Sequence, residues 1–145
     1  MEPILITGNR IFDNRGSVRF SNDLTFRNIK RFYTVHNYSK NFVRAWHGHM
    51  MEEKYIGCIK GTFQISAVKL DKLKKPNKKN KIHNFVLNES DSNFVHIPKG
   101  YANGSMSFEE NSELLIFSTS SVKESLKDDI RFDANYWNPW NVKNR

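Results

Sequence analysis

An all-β sandwich or barrel is the fold class this sequence predicts, and three observations point to it. Short stretches rich in aromatic and β-branched residues recur along the chain. Turn-forming clusters such as "DNRGS", "YSKN", "KGT", "KKPNKK", "NESDS" and "EENS" separate them at short intervals. No segment carries the apolar periodicity of a long amphipathic helix.

The expected elements follow in order. "IKRFYTVHNY" (29–38) reads as the first clear strand. "FVRAWHGH" (42–49) is a second. Strand alternation then sets Arg44, Trp46 and Gly48 on one face and Ala45, His47 and His49 on the other. A small residue beside two imidazoles leaves space, as at the mouth of a ligand cavity. "KYIGCIKGTFQISAVKL" (54–70) reads as two strands with Gly61 at the turn. "IHNFVLN", "NFVHIPKG" and "SELLIFSTSS" complete the strand set, with "PKGYANG" read as a breaker. "SSVKESLKDD" (120–129) is expected to form a short helix. The aromatic tail "YWNPWNVKNR" is expected to pack across the barrel or against a partner.

Length and composition bound the rest. With 145 residues and 38% hydrophobic content, a single domain (1–145) with one core is expected. One cysteine, Cys58, rules out an intrachain disulfide and suits a reducing, cytoplasmic setting. No apolar run approaches the ~18 residues of a membrane span, and the start lacks the pattern of a signal peptide, so no membrane partner is expected. The net charge of +8 raises the question of nucleic acid. Yet seven of the lysines sit in "KLDKLKKPNKKNK" (69–81), without interleaved aromatics. That stretch reads as a solvated loop, and nucleic acid is not expected as a partner.

The histidine strand opens a motif. Glu53 follows His49 by four residues, and "IPKGYANG" comes later. This pair resembles the two motifs of the cupin superfamily, His-x-His followed by Glu and Gly, then Pro-x-Gly-x-x-His. The resemblance implies a jelly roll, a double-stranded β-helix. Its fourth metal-ligand position holds Asn103, a poor substitute for imidazole, so no metal and no other cofactor are expected.

Within that superfamily the chain resembles the dTDP-4-dehydrorhamnose 3,5-epimerase family over most of its length. "DNRGS", "RAWHGH", "KYIGCIKGTFQISAVKLDK", "HIPKGYANG" and "DDIRFDANYW" occur in that family's order. The resemblance implies an isomerase acting on a nucleotide-linked 4-keto-6-deoxy sugar by enolisation, at C3 or at C3 and C5. It assigns His47 as the base, Lys54 as the cation at the keto oxygen, and Arg15 and Arg44 as diphosphate and pocket residues. Imidazole titrates near neutrality and suits removal of a proton beside a ketone. A fixed ammonium stabilises the enolate, and guanidinium groups grip phosphate. His36, on a strand expected to line the pocket, and Asn103 are further candidate substrate-binding residues. Ile116 stands at the family's tyrosine acid, and Glu53, Asp128 or another acid is a candidate to stand in for the base's aspartate partner.

The dTDP-sugar 3,4-ketoisomerases are a second resemblance, carried by "RAWHGHMMEEKYIGCIKGT" without a gap and by "IKRFYTV". That reading makes His49 a second proton carrier beside His47. A non-catalytic sugar-binding cupin is the alternative of another class. A homodimer is expected in each case.

Overall fold

Among the described residues, 1–141 of this computed structural model, the chain forms twelve strands and one short helix. One antiparallel sheet has the order β1 (Ile4–Ile6), β9 (Phe94–Ile97), β6 (Lys54–Lys60), β11 (Ser112–Ser118), β4 (Arg31–Asn37). The second has the order β12 (Ile130–Arg131), β5 (Val43–His49), β10 (Tyr101–Ser107), β7 (Thr62–Lys69), β8 (Ile82–Asn88). Most neighbours are distant in sequence, as in a jelly roll. β2 (Asn9–Asp13) and β3 (Gly16–Phe20) form a separate ribbon.

Alternation divides the apolar residues between two clusters. Ile56, Phe63, Ile65, Leu87, Val95, Ile97 and Leu114 fill the space between the sheets. Cys58 is buried with them, and its thiol is pushed up to about 12 by burial. Val68, Ala102 and Met106 point the opposite way, onto the outer face of the second sheet, where they join Trp46. Trp137 and Trp140 cover that face. The Trp46 and Trp137 rings meet edge to face at 5.4 Å. The Trp46 indole N–H donates to the Trp137 carbonyl at 3.0 Å. The aromatic tail thus packs on its own sheet, and its last four residues, 142–145, lie outside the described residues.

The β6–β7 turn has Gly61 at φ +80°, where Ser112 leaves no room for a Cβ. The expected helix is α1 (Val122–Leu126), opened by a capping box between Ser121 and Glu124. The lysine-rich loop keeps its lysines in solvent but buries Pro76. The C-terminal segment holds it in place: the Trp137 indole N–H donates to the Asn77 carbonyl at 3.1 Å.

Two features differ from expectation. "YANGSMS" is a strand, β10, and every residue in it is buried. Its small side chains read as a turn, but they suit a strand pressed from one side by Trp140 and Ala45. A Cβ on Gly104 would meet those two side chains within 3 Å. The second difference lies in β5. Asn103 pairs with His47, but Ser105 pairs with Arg44, so two steps on β10 span three on β5. That bulge resets the alternation. Arg44 joins the His47 face, while Ala45 turns outward to the Trp46 cluster.

Candidate functional site

β5 and β10 supply one wall of a cavity of about 220 Å³, and β4, β6 and β11 supply the other. Arg44, His47 and Asn103 face Tyr33, Lys54 and an apolar patch of Val35, Ile56, Leu114 and Ile116. Three larger hollows lie elsewhere among the described residues: one of about 300 Å³ lies on the β2–β3 ribbon beside Asp13 and Arg15, and two are larger still. One of about 320 Å³ is lined by Phe20, Phe26, Phe94 and Phe117. The other, of about 560 Å³, is lined mainly by polar groups including Lys30, Lys99 and Lys127. None of the three is lined by an imidazole, so the smaller cavity is the candidate site for acid–base chemistry.

His47 is half-buried, with no side-chain hydrogen bond to another described residue. Burial pushes its pKa below the ordinary imidazole value, and the positive charges of Lys54 and Arg131 push it the same way. The ring is therefore neutral near pH 7 and able to accept a proton. Asn103 fixes its place in the strand by donating to the His47 carbonyl at 3.2 Å.

His49 is buried beside the cavity and is not part of its lining. Its Nδ1 lies 2.8 Å from the Asp128 carbonyl oxygen. A carbonyl only accepts, so Nδ1 carries the proton and Nε2 keeps a lone pair. That Nε2 has no hydrogen-bond partner among the described residues. Burial lowers the His49 pKa, as does Lys54, while Glu52 and Asp128 oppose the shift.

Asp128 holds the segment between the two elements. One carboxylate oxygen accepts from the Met50 N–H at 2.8 Å, and the other from Met51 at 2.8 Å and Glu52 at 3.0 Å. Asp128 therefore orients His49 through its main chain, with its side chain occupied by the turn. Glu53 pairs instead with His96 at 2.9 Å, beneath Tyr55, and is absent from the cavity lining. Neither acid touches the His47 ring.

The remaining expected site residues divide. Lys54 and Asn103, 9% and 8% exposed, line the cavity. Arg44 stands at its rim, donating to the Asn37 side chain at 2.7 Å and to the His36 carbonyl at 3.3 Å. His36 points outward to Asn111, because alternation on β4 turns Tyr33 and Val35 inward. Arg15 sits at the tip of the β2–β3 ribbon, paired with Asp13 at 2.6 Å and 86% exposed. Within one chain it is not part of the cavity.

Two residues escaped the sequence reading. Tyr33 lines the cavity and is the cross-strand partner of Ile116. The aromatic strand was visible, but the sequence did not say which of its faces looks inward. Glu52, 2% exposed, lies between His49 and Lys54, and neither carboxylate oxygen has a hydrogen bond among the described residues. The motif spacing drew attention to its neighbour Glu53. Among the described residues, no three His, Cys, Asp or Glu side chains gather as a metal site. No described helix is long and apolar enough to cross a membrane.

Residues 2–138 match the family described as FdtA: WxcM-like, C-terminal. No curated protein matches the chain. Among solved structures, a double mutant of the QdtA 3,4-ketoisomerase from Thermoanaerobacterium thermosaccharolyticum, in complex with TDP, is 25% identical with a TM-score of 0.70. The match covers 94% of this chain and 91% of that one. The dTDP-4-dehydrorhamnose 3,5-epimerase from Bacillus anthracis, with TDP and PPi bound, is 16% identical with a TM-score of 0.76, covering 98% and 86%. A 3,4-ketoisomerase from Helicobacter canadensis is 21% identical with a TM-score of 0.72, covering 94% and 95%. The jelly-roll fold is shared by all three.

Proposed function

The chain belongs to the WxcM-like, C-terminal (FdtA) family, and from that premise we propose that it isomerises a dTDP-linked 4-keto-6-deoxy sugar through an enediolate. The observation that carries this reading is the cavity itself. It sets a neutral imidazole, His47, opposite an ammonium, Lys54, and a phenol, Tyr33. His47 removes the C3 proton, Lys54 stabilises the charge that develops on O4, and Tyr33 exchanges a proton with the sugar oxygens. The apolar patch around Ile116 receives the C6 methyl group. Arg44 at the rim meets the diphosphate.

The 3,4-ketoisomerase is the form best supported. Moving a ketone from C4 to C3 calls for a second proton carrier, and His49 offers a free Nε2 next to the cavity. The relative at 25% identity is named for the same reaction. Epimerisation at C3 is the second reading, favoured by Lys54 and by Tyr33 on the wall facing His47. With Ile116 unable to donate a proton, Tyr33 is the acid that inversion would use. Neither reaction needs a metal or redox cofactor, since each only moves protons.

A homodimer is part of the proposal. An isolated two-stranded ribbon is marginal in water, yet β2–β3 exposes Ile11, Phe12 and Val18 at 62–69%. A second copy of the chain would cover these residues and give Arg15 a nucleotide to reach. A cytoplasmic setting, where nucleotide sugars meet reduced Cys58, completes the assignment.

Incubation with dTDP-4-keto-6-deoxyglucose, followed by NMR of the product, tests this reading. A ketone moved to C3 is expected. Inversion at C3 with the ketone retained selects the epimerase. A bound but unchanged sugar contradicts both. The pH profile adds a second check. A base with lowered pKa stays neutral at more acidic pH, so the acid limb of kcat/KM is expected below the ordinary imidazole value of 6.5. Lys54→Met removes a charge that lowers this pKa, so the limb of the residual activity moves to higher pH. A limb unmoved by that change contradicts the assignment of His47.

A further inference from the structure

Glu52 is the one buried carboxylate in this chain whose two oxygens lack hydrogen bonds among the described residues. A buried, unsatisfied carboxylate is costly unless nearby positive charge compensates it. One oxygen lies 3.8 Å from the Lys54 ammonium and the other 3.9 Å from His49 Nδ1. Both distances are too long for hydrogen bonds and short enough for strong coupling at this depth. Glu52 itself does not line the cavity, whereas Lys54 does. The carboxylate thus sits behind the cation, on the far side from the substrate space.

We propose that Glu52 is a positioning residue for the reaction: its charge holds the Lys54 ammonium at the cavity wall and couples it to His49. This rests on the isomerase reading for its catalytic consequence, but the coupling exists without substrate. The arrangement explains the missing acid partner. The site has no carboxylate on the His47 ring; it has one shared between the second imidazole and the lysine. The aligned backbone makes this possible. Asp128 clamps the N–H groups of residues 50–52, so the turn carries Glu52 inward while Glu53 goes to His96.

The charged groups around His49 are Glu52, Lys54 and Asp128, with His47 two residues away on β5. Tyr101, its cross-strand neighbour on β10, has a phenol pushed further up by burial and adds no charge near neutrality. Among them, Glu52 favours the charged imidazole and Lys54 disfavours it. Glu52→Gln keeps the shape and removes the charge. Its His49 titration, followed by imidazole NMR without substrate, is expected to move to lower pH by roughly one unit. Turnover is expected to fall roughly 10–100-fold in kcat, the scale of a misplaced catalytic group, with KM nearly unchanged. A residue that only supports the fold would move neither the titration nor the kcat–KM split in this way. Glu52→Asp retains the charge one methylene further back, and a smaller shift in the same direction is expected. If the Gln variant does not fold, the Asp variant decides. An unmoved His49 titration in the folded variant overturns the proposal, as does wild-type kcat in an active enzyme. If the wild-type protein turns over none of the candidate sugars, the isomerase reading fails, and the titration still decides the role of Glu52.

Discussion

His47→Ala is expected to lower turnover by at least the ~10²–10⁴-fold that a positioned base contributes. The reason is geometric. His47 is the imidazole that lines the cavity, and its lowered pKa keeps it neutral at working pH. Of its candidate substitutes, Asp128 is engaged by three backbone N–H groups and Glu53 by His96. His49 reaches the cavity only from behind. The loss is expected in kcat, with nucleotide-sugar binding retained, because Arg44 and the apolar patch are untouched. His49→Asn separates the two readings of the reaction. In a ketoisomerase, cleavage at C3 continues while the ketone stops moving; in an epimerase, inversion survives at a reduced rate. Wild-type turnover in His47→Ala would show that the base has been placed wrongly.

Lys54→Met is expected to cost roughly 10²–10³-fold, the loss seen when one oxyanion donor is removed. Lys54 is 9% exposed, so its charge acts in a poorly screened setting. The enolate forms its charge on O4 only as the C3 proton leaves. The effect is therefore expected in kcat more than in KM. Removing the ammonium also leaves the buried Glu52 carboxylate without its nearest cation, 3.8 Å away. A loss of stability is expected alongside. Stability is recovered in Lys54→Met/Glu52→Gln, whereas activity is not. A double variant as active as wild type would remove Lys54 from the mechanism.

The fold was legible where period and turn chemistry agreed. The β6–β7 hairpin, the Gly61 turn and the capped helix each follow from local signals. β10 was hidden because Ala, Asn, Gly and Ser read as a turn; the close approach of Trp140 that favours them belongs to the distant tail. The β5 bulge was hidden for a related reason. An extra residue against β10 has no signature in "RAWHGH", yet it moves Arg44 to the face of His47. Of the candidate site residues, His47, Lys54, Arg44 and Asn103, which the motifs single out, line one cavity from three strands. Alternation identifies which residues share a face and not which face is inside, so it does not separate Tyr33, which lines the cavity, from His36, which points outward. Glu52 and Glu53 are adjacent and chemically identical. The Asp128 clamp on residues 50–52 and the contacts of Glu53 with His96 and Thr119 separate them, and all three partners are distant in sequence.

This cavity is expected to break the C3–H bond of a bound 4-keto sugar, whichever product follows. The most direct test uses dTDP-4-keto-6-deoxyglucose carrying deuterium at C3, with the label followed by NMR. Deuterium is expected to leave C3, passing to C4 or to water, with the wild-type protein and not with His47→Ala. Deuterium that stays at C3 while the nucleotide sugar is bound would contradict it, and would leave a cupin that binds such sugars without transforming them.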